Sequence, residues 1–242
     1  MDLHLSVSGA LTCEMLIAAI LDAFPQHEER VVHAIDAVDA AHPLACVLRA
    51  HSEAGISGRR FEIVPFERHF GHIPFAFSRT RPSWESVIEG LDASQIRRTV
   101  RTHATRICQL LAAAESKPAG ANATGAADST SWSAIAEIVG MAALIDALGP
   151  VRWTIAPLPF GAAAPTAAAI LAYVCPPRVR GRPLPRMRTP ALSGTGFGSP
   201  PAADSYLRLL CYDGASREFA APDLSTQVAP PAAGGRGQRP AP

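Results

Sequence analysis

Residues 153–171 read WTIAPLPFGAAAPTAAAIL, and the reading of this stretch decides the fold. Residues 153–156 predict a short buried strand. Pro157 and Pro159 cannot donate to a ladder and end it. Gly161 permits a backbone turn closed to other residues, and Pro165 suits the first position of an Ala-rich helix over 165–173. A strand that stops at a Pro/Gly corner and feeds a helix is where α/β proteins often place ligands.

The chain on either side fits a layered α/β body. Residues 3–7 alternate as a strand, Ser8 and Gly9 turn the chain, and Thr12 caps a helix over 13–24 that Pro25 stops. A second helix is expected over 27–39. Residues 45–50 and 59–65 read as strands joined by HSEAGISG, an antiparallel pair. Ser83 caps a helix over 84–90, and Ser94 one over 95–115. A strongly patterned helix over 133–148 places Ile135, Ile138, Val139, Ala142 and Ile145 on its buried face, and Gly149-Pro150 ends it. GTGFG, residues 194–198, reads as a tight glycine turn before a last strand over 206–212. The expectation is an α/β (α+β mixed) fold: one layered domain over 1–220, with a mixed sheet and amphipathic helices. Residues 116–131 form a flexible loop and 221–242 a disordered tail.

Composition narrows the function classes. The 242 residues carry a formal net charge of +1, which gives no global field for nucleic acid or membrane. Apolar runs stop well short of the ~20 residues that a membrane span needs. Cys13, Cys46, Cys108, Cys175 and Cys211 show no paired spacing, which suits reduced thiols in a cytoplasmic protein. Lys117 is the only lysine, so the arginines reflect a compositional bias, and the group from Arg178 to Arg188 reads first as solvated chain and second as a phosphate clamp.

Few residues offer chemistry. His69 and His72 are spaced for a metal only if a helix holds them, and prolines argue against one. GTGFG lacks the length and the preceding strand of a dinucleotide fingerprint. The carboxylates Glu14, Asp22, Asp128 and Glu137 fall in the expected cleft.

Five separated stretches resemble one family, the nickel-insertion proteins of the lactate racemase cofactor pathway (LarC type). LSVSGALTCEMLIAAILDAF, from Leu5, resembles its strand-turn-helix; Leu5, Gly9, Glu14, Met15, Leu21 and Asp22 hold the pattern, while Ser6, Ala10 and Cys13 depart from it. GISGRRFEI (55–63), SWSAIAEIVGMAALIDALGPVRWTIAPLPFG (131–161), APTAAAIL (164–171) and GTGFGSPPAADSYLRLL (194–210) follow in the family's order. Histidines expected at 125–128 are absent, a histidine-rich loop is reduced to His69 and His72, and a segment at 161–164 is shortened. The family's C-terminal domain has no counterpart after the L-R strand. The resemblance implies a lyase-class cyclometallase that places nickel in a pyridinium bisthiocarboxylate mononucleotide and consumes a nucleoside triphosphate such as CTP with a divalent metal. It implies a nickel-pincer nucleotide precursor as substrate and a separate protein that supplies the missing domain. The alternative is a non-catalytic paralogue acting as scaffold or binding module; a hydrolase built on the carboxylates has less support.

The site is expected where the turn at Gly9 meets Gly161, the start of the helix at Thr166, and the turn holding Gly194, Thr195, Gly196 and Gly198. Glu14, His69, His72 and Asp128 are the metal candidates. Limited proteolysis should cut first within 116–131 and 222–242; protection of both segments would contradict that expectation.

Overall fold

A computed structural model describes residues 1–37, 44–65, 82–116, 131–159, 161–175, 189–199 and 204–213. Six strands are β1 (Asp2–Ser8), β2 (Leu44–Glu53), β3 (Ile56–Pro65), β4 (Arg152–Ile155), β5 (Leu192–Phe197) and β6 (Tyr206–Tyr212). Among the described residues the α-helices are α1 (Cys13–Ala23), α2 (Glu28–Asp36), α3 (Trp84–Ala93), α4 (Arg98–Glu115), α5 (Trp132–Leu148) and α6 (Pro165–Val174). The strands form one mixed sheet in the order β2-β3-β5-β6-β1-β4. β1 pairs parallel with β4 and antiparallel with β6, and β3 pairs parallel with β5. The α/β layered expectation therefore holds.

Period-two alternation sorts the sheet. Leu3 and Leu5 stand opposite Cys211 and Leu209, and opposite Trp153 and Ile155, all buried. Helix α1 packs against β3, β5 and β6 on this face and against α5 on its other side. Every residue from Met15 to Leu21 is shielded from solvent, as a helix apolar all round requires. Helix α5 sits on α1, α2 and α4. Its burial runs over Ala134–Ile145 except at Glu137, rather than along the single stripe that periodicity predicts. It is a central helix of the second layer, so it has no wide solvent face.

The GTGFG reading needs correction. Gly194 to Phe197 belong to β5, opposite Leu209 to Tyr206 of β6, and are not a turn. The glycines recur with period two, so both lie on the face that meets α1. A Cβ on Gly194 would strike the Ala19 carbonyl and lie 2.7 Å from the Ala23 nitrogen. One on Gly196 would strike the Met15 carbonyl and lie 2.7 Å from the Ala19 nitrogen. The helix backbone rests directly on the strand, which no other residue type permits.

Two boundaries also differ. The hairpin strands run on to Glu53 and Ile56, leaving Ala54 and Gly55, both at positive φ, as a two-residue turn. Such turns match strand twist, so pairing extends to the tip. Ser94 does not cap a following helix: its hydroxyl donates to the Leu91 carbonyl at 2.6 Å and closes α3. Helix α4 starts instead at Arg98 with no side-chain cap. Thr12, Ser83 and Ser131 do cap α1, α3 and α5, accepting from the backbone nitrogens of Met15, Ser86 and Ala134. None of the five cysteines is in a disulfide. The expected loop over 116–131, apart from Ser116 and Ser131, and the expected tail over 221–242 lie outside the described residues. Among the described residues no helix is long and apolar enough to cross a membrane.

Gly196→Ala should cost about 3 kcal/mol, because backbone must separate from backbone. Gly90→Ala, in α3 with open space around it, should gain about 0.5–1 kcal/mol. Urea unfolding of both variants checks the contrast; equal effects would refute the packing account.

Candidate functional site

The turn after β1 is held by one serine. Gly9 turns at φ +82°. The Ala10 nitrogen donates to Ser205 Oγ at 2.9 Å, and Gly198 donates its N–H to the Ser205 carbonyl at 2.9 Å. A Cβ on Gly9 would collide with this side chain, 3.0 Å from Ser205 Cβ. Ser205 is buried, and nothing in the sequence singles it out.

The same loop then pairs with the Pro/Gly corner. Leu11 donates to the Ala162 carbonyl at 2.7 Å, and Ala164 donates to the Leu11 carbonyl at 2.8 Å. Gly161 takes φ +76° to make the corner. Pro165 follows as the first residue of α6 and Thr166 is buried. An apolar groove of about 370 Å³ opens beside the corner, lined by Ile155, Pro157, Leu158, Ala163 and Leu171.

Ser205 thus ties the strand end at Gly198 to the turn at Gly9, and Leu11 ties that turn to the corner beside Gly161. Gly194 and Gly196 lie beneath α1, where the packing explains their lack of a side chain. Thr195 is buried, and its N–H donates to Asp22 Oδ2 at 2.9 Å. Arg59 Nε stands 3.7 Å from Asp22 Oδ1, and Arg59 Nη1 donates to Glu28 Oε2 at 3.3 Å. Asp22 thus fastens α1 to the seam between β3 and β5. His69, His72 and Asp128 lie outside the described residues.

Under the first turn of α1 the structure gathers Cys13, Glu14 and Glu137. Glu14 Oε1 accepts from the Ile63 nitrogen at 3.4 Å. Burial raises the Glu14 proton affinity; the Ile63 bond lowers it and the Glu62 charge raises it again. Glu137 is pushed up to about 8, first by burial and then by the charge of Glu14, with a hydrogen bond from Cys13 acting the other way. Burial, then the two carboxylates, drives the Cys13 thiol well up. Its S–H points to the Glu137 carbonyl at 3.7 Å. At neutral pH this nest holds a thiol and a protonated Glu137. Among the described residues no three His, Cys, Asp or Glu side chains form a group that could hold a metal ion.

A family model described as nickel insertion protein matches residues 3–164, more than half of the chain. The chain belongs to that family, and its function lies with nickel insertion. No curated protein and no solved structure matches it.

The raised Glu137 pKa carries a sign. Between the ordinary value of 4.5 and about 8 the folded state holds a proton that the unfolded state has lost. Stability should therefore fall as pH rises from 5 to 8, by on the order of 2–4 kcal/mol. Glu137→Gln should flatten that slope; urea unfolding across this range would refute the assignment if the variant kept the wild-type slope.

Proposed function

We propose that this member of the nickel insertion family receives nickel and passes it to a nickel-pincer nucleotide precursor. The receiving groups are Glu14 and Glu137, beside the first turn of α1. The observation that carries this reading is the half-buried pair of Glu14 and Glu137, whose charges act on one another beside the first turn of α1, in a chain whose family match spans it. Glu14 and the proton-holding Glu137 offer oxygen ligands once a divalent ion displaces that proton. A nitrogen-rich completion suits nickel better than oxygen alone, and His69 and His72 are the residues of the chain that we assign to it. A nucleoside triphosphate, with its divalent metal, takes part in the reaction, and a partner protein contributes further groups. The reaction is of the lyase class and cytoplasmic.

A scaffold reading stands beside this one, favoured by the lack of a three-ligand group among the described residues. Here the fold would dock a partner, and the acid pair would only hold protons.

Nickel titration followed by metal analysis separates the two. Wild type should bind nickel near one equivalent, with Glu14→Gln and Glu137→Gln each weakening it at least about tenfold, roughly 1.4 kcal/mol. Loss only in His69→Ala/His72→Ala would move the site away from the carboxyls. No binding by wild type at millimolar nickel would leave the scaffold reading.

A further inference from the structure

A small pocket lies away from the carboxyl pair, where α2, the start of α4 and the end of α5 come together. Its volume is about 170 Å³. At ~30 Å³ for each water, that is the share of about six waters, so a ligand there is no larger than a single residue. Ile96, Val100 and Ala143 line it and are buried, which makes an apolar floor. Arg30, His33 and Arg97 line it and are exposed, which places them at its mouth. Arg30 and His33 share one face of α2 by i, i+3 spacing. Asp146 of α5 is the one carboxylate in the lining.

Asp146 is poorly placed for its own helix. It stands in the last turn of α5, where the helix field disfavours a carboxylate, and no basic residue of that turn offsets it. Its side chain is only 13% exposed. Among the described residues its one ion-pair or hydrogen-bond partner is Arg97, whose Nη1 stands 3.6 Å from Asp146 Oδ2. That separation is too long for a hydrogen bond. The Arg97 side chain is 63% exposed, and a pair so long and so open on one side contributes little. An ionised carboxylate has about four acceptor sites, and here most of them are unfilled.

These groups select a ligand by charge and shape. A largely buried carboxylate calls for a cation that also donates hydrogen bonds. A simple amine would meet the two guanidinium groups at the mouth and be repelled. Guanidinium groups bind carboxylates in bidentate pairs, yet a simple anion would leave Asp146 without its cation. A zwitterion with its ammonium and carboxylate on one carbon answers both. A third substituent on that carbon reaches the floor of Ile96, Val100 and Ala143, and an apolar one gains from burial there.

We infer that this pocket binds a free α-amino acid with an apolar side chain, its ammonium on Asp146 and its carboxylate on Arg97 and Arg30. The zwitterion takes the place of the loose ion pair. Asp146 lies nine residues beyond Glu137 on α5, ~13.5 Å along the helix axis, so the inference stands apart from nickel binding and tests separately from it.

The test is calorimetric titration of the full chain, without added nickel, with L-leucine, L-valine and L-methionine. At least one should bind with Kd below about 1 mM. For the tightest of the three, the N-acetyl derivative lacks the ammonium and the amide lacks the carboxylate; each should bind at least about tenfold more weakly. Glycine leaves the floor uncovered and should also lose at least about tenfold. Asp146→Asn should weaken binding at least about tenfold, whereas Glu89→Gln, at an exposed position of α3, should change it less than about twofold. In wild type the tightest ligand should slow hydrogen exchange over residues 96–100 and 143–148, a readout that needs no variant. Absence of binding by all three amino acids would overturn the inference. So would equal binding of glycine or of either blocked derivative, equal losses in the two variants, or protection elsewhere than these residues.

Discussion

Helix α1 lies with its backbone on the backbone of β5, and the rest of the molecule depends on that contact. The approach leaves no room for a side chain at Gly194 or Gly196. It brings the helix close enough for Asp22 to accept the Thr195 N–H. It also sets the distance at which a second helical layer can follow. With α1 sunk onto the sheet, α5 reaches past it to β3 as well as covering it. Gly140 of α5 serves the same end at the next level, since a Cβ there would press on Ile35, Val31 and Ile17 at 3.1–3.4 Å. Successive layers of small residues give this Ala-rich chain a dense core without many large side chains.

The carboxyl nest follows from this burial. A helix enclosed on both sides places its first turn in an apolar environment, so Glu14 sits beside Cys13 and below Glu137 of α5. A charge so placed is costly unless it is bonded or neutralised. Glu14 has the Ile63 N–H and the positive end of its own helix. Glu137 lacks such support and holds its proton instead. The asymmetry between the two carboxyls is therefore set first by the burial of Glu137 and by the charge of Glu14 acting on it, with the Ile63 N–H opposing the shift at Glu14.

Local chemistry was legible in the sequence and tertiary contact was not. The caps Thr12 and Ser83, the stop at Pro25 and the start at Pro165 each act within a few residues, and each was readable. Ser94 failed because one serine hydroxyl can close a helix as well as open one. GTGFG failed because glycine clusters suggest turns; the informative signal was the spacing of two that puts Gly194 and Gly196 on one face. The meeting of the β1 turn with the Pro/Gly corner was expected from the position of the corners. Its mechanism, Leu11 bonded to both Ala162 and Ala164, spans some 150 residues and has no local mark. Ser205 was hidden for the same reason, whereas Glu14 and Glu137 were both expected in the cleft, and their charges do act on one another.

Sheet order adds a constraint that the family match does not. The matched residues end at 164 and contain β1 to β4. Yet β5 and β6, which come later in the chain, occupy the middle of the sheet, between β3 and β1. Without them β1 and β3 would stand two strand widths beyond pairing distance, since adjacent strands lie ~4.8 Å apart. The bed on which α1 rests would be gone, as would the Asp22 acceptor's partner at Thr195 and the Ser205 hydroxyl that holds the Gly9 turn. The strands that return after α6 are therefore as much a part of the candidate site as the motifs that precede them.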